Sequence, residues 1–202
     1  LSLTWRFFFY FFLLLSLFLA PTACQTAQDS GAAAHPPAAP CGHCPTLSEW
    51  KAFINAGNFA IVSAGRNSSD PADQSLDSRA IEDRHRNLAK ELTGFRLAFY
   101  EGEGHYEGHW ETVYILRLPS SFDANILRDL GRRYHQQSII IARDGEQALI
   151  YTSGPDVGHA YRGKGWREVK ARSGDFTELQ SADGKLLRFR LNFDFSNSAP
   201  YE

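Results

Sequence analysis

The strongest constraint on this chain is an alternation of periodicities between Phe59 and Thr152. The short apolar run "NFAIVSAG" reads as a buried strand and leads into the polar loop "RNSSDPADQS". From about Ser75 to Thr93, Leu76, Ala80, Ile81, Leu88 and Leu92 recur at helical spacing, and Gly94 ends the pattern. His85 falls on that apolar line and reads as a core or boundary histidine. "FRLAFYEG" and "ETVYILRL" then look like two strands joined by "GEGHYEGHWE". A second amphipathic helix follows in "SSFDANILRDLGRRYH", with Phe122, Ile126, Leu127 and Leu130 on one face and Ser120 or Ser121 as its cap. "QSIIIARDGEQALIYT" closes the series as a strand, an Asp-Gly turn and a strand.

Strand–helix–strand–strand–helix–strand is the order of a ferredoxin-like split βαβ arrangement. The expected fold class is therefore α+β, an antiparallel sheet with helices on one face. Downstream, "DFTELQSADGKLLRFRLNFDF" alternates Leu187, Phe189, Leu191 and Phe193, a C-terminal β-hairpin expected to extend the sheet. Upstream, Leu47, Trp50, Phe53 and Ile54 mark a short helix, with Ser48 as cap and Gly57 as stop. The 202 residues suit one domain of common size, placed at 46–202, and a net charge of −2 exerts no general pull toward nucleic acid or anionic membranes.

The first 45 residues differ in kind. Arg6 precedes an apolar run from Phe7 to Ala20, shorter than the ~20 residues of a membrane span. It fits the apolar region of a secretory signal, so residues 1–24 read as an export leader, with an uncleaved anchor as the alternative. "LAPTAC" resembles a lipoprotein signal that would lipidate Cys24 and tether the protein to a membrane surface. Pro21 and Thr22 depart from that pattern. The expected location is periplasmic, cell-envelope or secreted. The chain begins at Leu1 and contains no methionine, which reads as a sequence cut at its start.

Residues 25–45, "QTAQDSGAAAHPPAAPCGHCP", are rich in Ala and Pro and read as a linker. Within it Cys41 and Cys44 form a CGHC motif, the letters of thiol–disulfide oxidoreductases. That chemistry needs the first cysteine at a helix N-terminus after a buried strand. Here Pro40 and Pro45 flank the pair and no strand precedes it, so a local disulfide is the simpler reading and redox activity a weaker alternative.

"AIVSAGRN", "RHRNLAKEL", "GHYEGHWETVYIL" and "RRYHQQSIII" together resemble a bacterial and phage family, domain of unknown function 3293, over about residues 59–141. The resemblance matches Arg84 four before Leu88, Glu111 before a strand, and Tyr134 then Gln137 ahead of the next strand. Ile81 and Glu82 stand where the family has an asparagine. The resemblance implies no particular activity or cofactor.

Arg66 and Asn67 leave one strand end, while Glu111 and Gln137 open two others. In a split βαβ sheet Arg66, Arg84, Glu111, Tyr134 and Gln137 would converge at one edge. Such a cluster suits a small or polar ligand, with arginine as an anion fork and Glu111 as the candidate base. His105, Glu107, His109 and Glu111 also lie two apart, and His105, His109 and Glu111 are weak candidate zinc ligands. Gly104 and Gly108 make that stretch a hairpin connection. No nucleophile elbow, phosphate loop or dinucleotide fingerprint occurs. The leading expectation is a binding module. The alternative is a hydrolase acting on an anionic or phosphorylated substrate through the same residues.

Overall fold

The computed structural model describes residues 44–106 and 108–201. The leader, Cys24 and Cys41 lie outside the described residues. Local chemistry sets the helices. α1 (Leu47–Ala56) opens on a capping box in which Thr46, rather than Ser48, is the cap and exchanges bonds with Glu49. It stops at Gly57, whose φ of 62° suits glycine and whose Cα hydrogen faces Gly145 so closely that a Cβ would lie 2.6 Å from its Cα. α2 (Pro71–Gln74) is a single turn capped by Asp70, α3 (Ser78–Gly94) starts at Asp77, and α4 (Ala124–Arg133) starts at Asp123. In each, the cap carboxylate accepts a backbone N–H of the first turn.

Eight strands carry the rest: β1 (Phe59–Ser63), β2 (Phe99–Tyr106), β3 (His109–Arg117), β4 (Ser138–Arg143), β5 (Glu146–Tyr151), β6 (His159–Glu168), β7 (Phe176–Gln180) and β8 (Leu186–Pro200). They close into an antiparallel barrel in the order β1-β3-β2-β7-β8-β6-β5-β4, with β4 returning to β1.

The expected open ferredoxin-like α+β sandwich is therefore wrong. Four ring neighbours, β4-β1-β3-β2, do have the strand order of a split βαβ unit. An open sheet would end at β2 and β4 and expose two rows of unpaired backbone groups. Here β7 pairs with β2 and β5 with β4, and β8 joins β7 to β6, so neither row stays open. The C-terminal hairpin closes the ring instead of extending a sheet. Closure needs bulges, and the β6–β8 register shifts on both sides of Gly163. A side chain on Gly163 would run into the carbonyl oxygen of Asn192, so glycine lets the two backbones meet there.

Alternation along the strands builds two cores. Phe59, Ile61, Val113, Ile115, Ile140, Leu179, Leu187, Phe189 and Leu191 fill the barrel. α1 seals one end of this interior with Trp50, Phe53 and Ile54, and Trp50 Nε1 donates to Gln180 O at 3.0 Å. The other strand faces, including Ala60, Val62, Tyr114, Leu116, Ile139, Ile141 and Ile150, lie under Leu88 and Leu92 of α3 and Leu127 and Leu130 of α4. The three longer helices thus occupy two places, one end and one outer flank. The end away from α1 is where β1 finishes and β3 begins.

Candidate functional site at the barrel mouth

At that end the ladder dictates which side chains look inward. Ser63 pairs with Val113, and Glu111 pairs with Gly104 of β2. Val113 belongs to the interior core, so Glu111, two residues earlier, points into the same space. Ser63 Oγ donates to Glu111 Oε2 at 2.6 Å. A Cβ on Gly65 would fall on that same oxygen, so glycine leaves the carboxyl its room. Gly104 likewise makes room for Val113 Cγ1, which a Cβ would meet at 2.8 Å. Beside them, Tyr106 and Thr177 share a hydroxyl–hydroxyl bond of 2.7 Å.

Burial pushes the Glu111 carboxyl up to about 6, against the opposing bond from Ser63. The Tyr106 phenol is also pushed up, first by burial and partly by the Glu111 charge. Glu111 remains half-buried, and its Oε1 has no hydrogen-bond partner among the described residues. A carboxyl held by one oxygen, with the other unbonded among the described residues, can accept a proton or a hydrogen bond from a bound molecule.

Across the mouth the wall is aromatic. Tyr161 pairs with Leu149, which packs on the interior core, so both face inward. Ring contacts run from Tyr151 to Tyr161 at 6.0 Å, Tyr161 to Phe195 at 5.2 Å, and Phe195 to Phe193 at 6.1 Å. Phe195 is 63% exposed and lies in the stretch of β8 between Phe193 and Ser198, where the register against β6 shifts.

Among the described candidates read from the sequence, only Glu111 sits inside the barrel. Arg84 forms a two-bond pair with Asp73, at 2.8 and 2.6 Å, and Asp73 also accepts Asn67 N at 2.9 Å. Burial works to raise the Asp73 carboxyl, but the Arg84 and Asn67 bonds and the Arg84 charge together hold it below the usual range. Arg66 Nη2 donates to Leu76 O, and Gln137 Oε1 accepts from Ser68. Asn67 Nδ2 reaches Ser153 Oγ at 2.7 Å. These residues bind the β1–α3 connection to the barrel rim and do not meet at Glu111. Tyr134 is elsewhere, donating to Glu91 at 2.7 Å on the helical flank.

The histidines separate as well. His105 faces outward, bonded to Gly174 O at 2.8 Å and stacked on Phe176, while Glu111 faces inward. His109 is exposed at the hairpin. Asp70, Asp73 and His135 offer ligand atoms within 4.8 Å of one another. Both Asp73 oxygens already accept from Arg84, whose positive charge opposes a cation there. Cys44 is half-buried just ahead of α1, and its expected partner Cys41 is outside the described residues. A separate groove of about 380 Å³ lies at the α1 end, lined by residues including Phe53, Asn58, Arg96 and Arg117.

Ser63, Thr177 and the aromatic arc escaped the sequence reading. The alternation Leu187, Phe189, Leu191, Phe193 was a usable signal, since it continues unbroken to Phe195. Ser63 and Thr177 carry no comparable sign. No protein-family model and no curated protein matches the chain.

Proposed function

We propose that this protein is a ligand-binding module whose site is the barrel mouth around Glu111. The carrying observation is the inward Glu111 carboxyl, fixed through Oε2 by Ser63 and without a bonding partner at Oε1 among the described residues. Burying a carboxyl without a cation is costly, and a purely structural position would do better with an apolar side chain. Barrel mouths lined by apolar walls with a few placed polar groups are common small-molecule sites. The leader read from the sequence makes the ligand one met outside the cytoplasm. A panel of amines, sugars, carboxylates and inorganic phosphate, followed by backbone amide shifts, tests the proposal. At least one class should move Ser63, Gly65, Tyr106 and Glu111 together, and more weakly in Glu111→Gln. Amides that never move at the mouth would remove the proposal.

A second reading makes Glu111 a general base in a hydrolase, favoured by a carboxyl pushed up to about 6. It has less support, because Arg66 and Arg84 are bonded away from Glu111 and supply no anion fork beside it.

A further inference from the structure

Resting on the barrel-mouth reading, we infer that the ligand is a small organic ammonium ion, held between the Glu111 carboxylate and the aromatic arc of Tyr151, Tyr161, Phe193 and Phe195. Ring order puts the two halves opposite each other. From β3, which carries Glu111, to β6, which carries Tyr161, the count is four strands in either direction. Both residues lie at the same end, Glu111 near the start of β3 and Tyr161 near the start of β6. An eight-stranded barrel is just wide enough inside for side chains or one small ligand. A ligand of a few heavy atoms is long enough to reach from one wall to the other of a barrel this size.

The chemistry of the walls selects the ion. Aromatic faces carry negative potential and attract cations, most strongly where water is excluded. The four rings are in sequential contact, so they present one continuous surface. Opposite them is a carboxylate with an open oxygen. The nearby guanidinium groups are engaged elsewhere, Arg66 on Leu76 and Arg84 on Asp73. An anion would meet the Glu111 charge with no unengaged guanidinium among the described residues shown beside it to offset it. A hard metal ion needs about six oxygen ligands, against one carboxylate and hydroxyls already paired with each other. An ammonium with alkyl substituents matches both halves, its charge to Glu111 and its carbon shell to Leu149, Phe193 and the rings.

The test is calorimetric titration, paired with amide and ring-proton shifts, using choline, tetramethylammonium and propylamine. The neutral isostere 3,3-dimethylbutan-1-ol, glucose and inorganic phosphate serve as comparisons. At least one ammonium should bind about tenfold or more tighter than the neutral isostere. Glu111→Gln and Tyr161→Leu should each weaken it about tenfold, while Glu111→Gln leaves the neutral isostere unchanged. Phe195→Ala, at an exposed position where folding is not at stake, should weaken it several-fold. If the ammonium ions bind no better than the isostere, or if sugar or phosphate moves the mouth instead, the ammonium inference fails and the binding module stands. If no probe moves the mouth, both fail.

Discussion

Glu111 holds its proton to about pH 6 in the folded barrel, against 4.5 for a free side chain, because burial disfavours the charge more than Ser63 favours it. Between those two values the folded state binds more protons than the unfolded state. Stability therefore falls as pH rises from about 4.5 to about 6, by roughly 2 kcal/mol. Glu111→Gln keeps an oxygen for Ser63 and removes the charge. It should leave stability near pH 4.5 little changed and raise it by about 1–2 kcal/mol at pH 7.5, measured by urea unfolding at both. A variant less stable than the parent at pH 7.5 would mean that the carboxylate is stabilised by a partner in the fold. Asp73 has the opposite sign. Its folded value is lowered, so its contribution is present above about 3.8, the free value, and is lost as pH falls through the folded one. Asp73 is 2% exposed, and Asp73→Ala leaves Asn67 N and the Arg84 guanidinium without their acceptor. The expected cost is roughly 3 kcal/mol, with faster amide exchange through residues 66–77. Arg84→Lys, which keeps the charge and leaves Asp73 in place, should still lose part of this, since an ammonium cannot reproduce the two-bond fork.

Among the elements, what could be read from sequence tracks what is local. Apolar stripes at helical spacing announced α3 and α4, and short apolar or alternating runs with an Asp-Gly turn announced β1 to β5, because these signals lie within one segment. β6 escaped because "HAYRGKGWRE" mixes glycine with charge and is bent by bulges that break its alternation. The closed ring escaped for a deeper reason. β2 and β4 would read alike as edges of an open sheet or as paired members of a barrel, since the partner is far away in the chain. The site divides along the same line. Glu111 was visible as a residue opening a core strand, whereas its contact with Ser63 spans 48 residues and left no local trace. Arg84 was visible on its helix, but its partner Asp73 lay in what looked like plain loop. The bulge makes a prediction at this scale. Gly163→Ala drives a methyl into Asn192 O and should cost about 1–3 kcal/mol by overpacking. Amide exchange should rise first along β6 and β8, and a change confined to the helical flank would contradict the proposed role of Gly163 in closure.

At the scale of the molecule, the strands serve both cores at once. Along β3, Val113 and Ile115 belong to the barrel interior while Tyr114 and Leu116 belong to the helix-covered flank, and β1 and β4 divide in the same way. Losing either core removes one face of the strands that build the other, so the two cannot melt separately. α1 is tied to this unit through Trp50 on Gln180 and through Trp166 Nε1, which donates to Asn55 at 2.8 Å. With Trp5 and the 46% exposed Trp110 replaced by phenylalanine, Trp50 and Trp166 report the interior by fluorescence, while far-UV circular dichroism at helical wavelengths is weighted toward α3 and α4. The two thermal transitions should coincide. Ile115→Ala inside and Leu116→Ala outside should each cost about 2–5 kcal/mol and move both signals together. If Leu116→Ala instead melted the helical signal while the fluorescence of the interior stayed folded, the barrel would be a self-sufficient unit with the helices as an accessory. The mouth could then be studied without α3 and α4. Coincident transitions would mean that the rim residues binding α2 and α3 to the barrel also hold the strand ends on which Glu111 and Ser63 face the ligand.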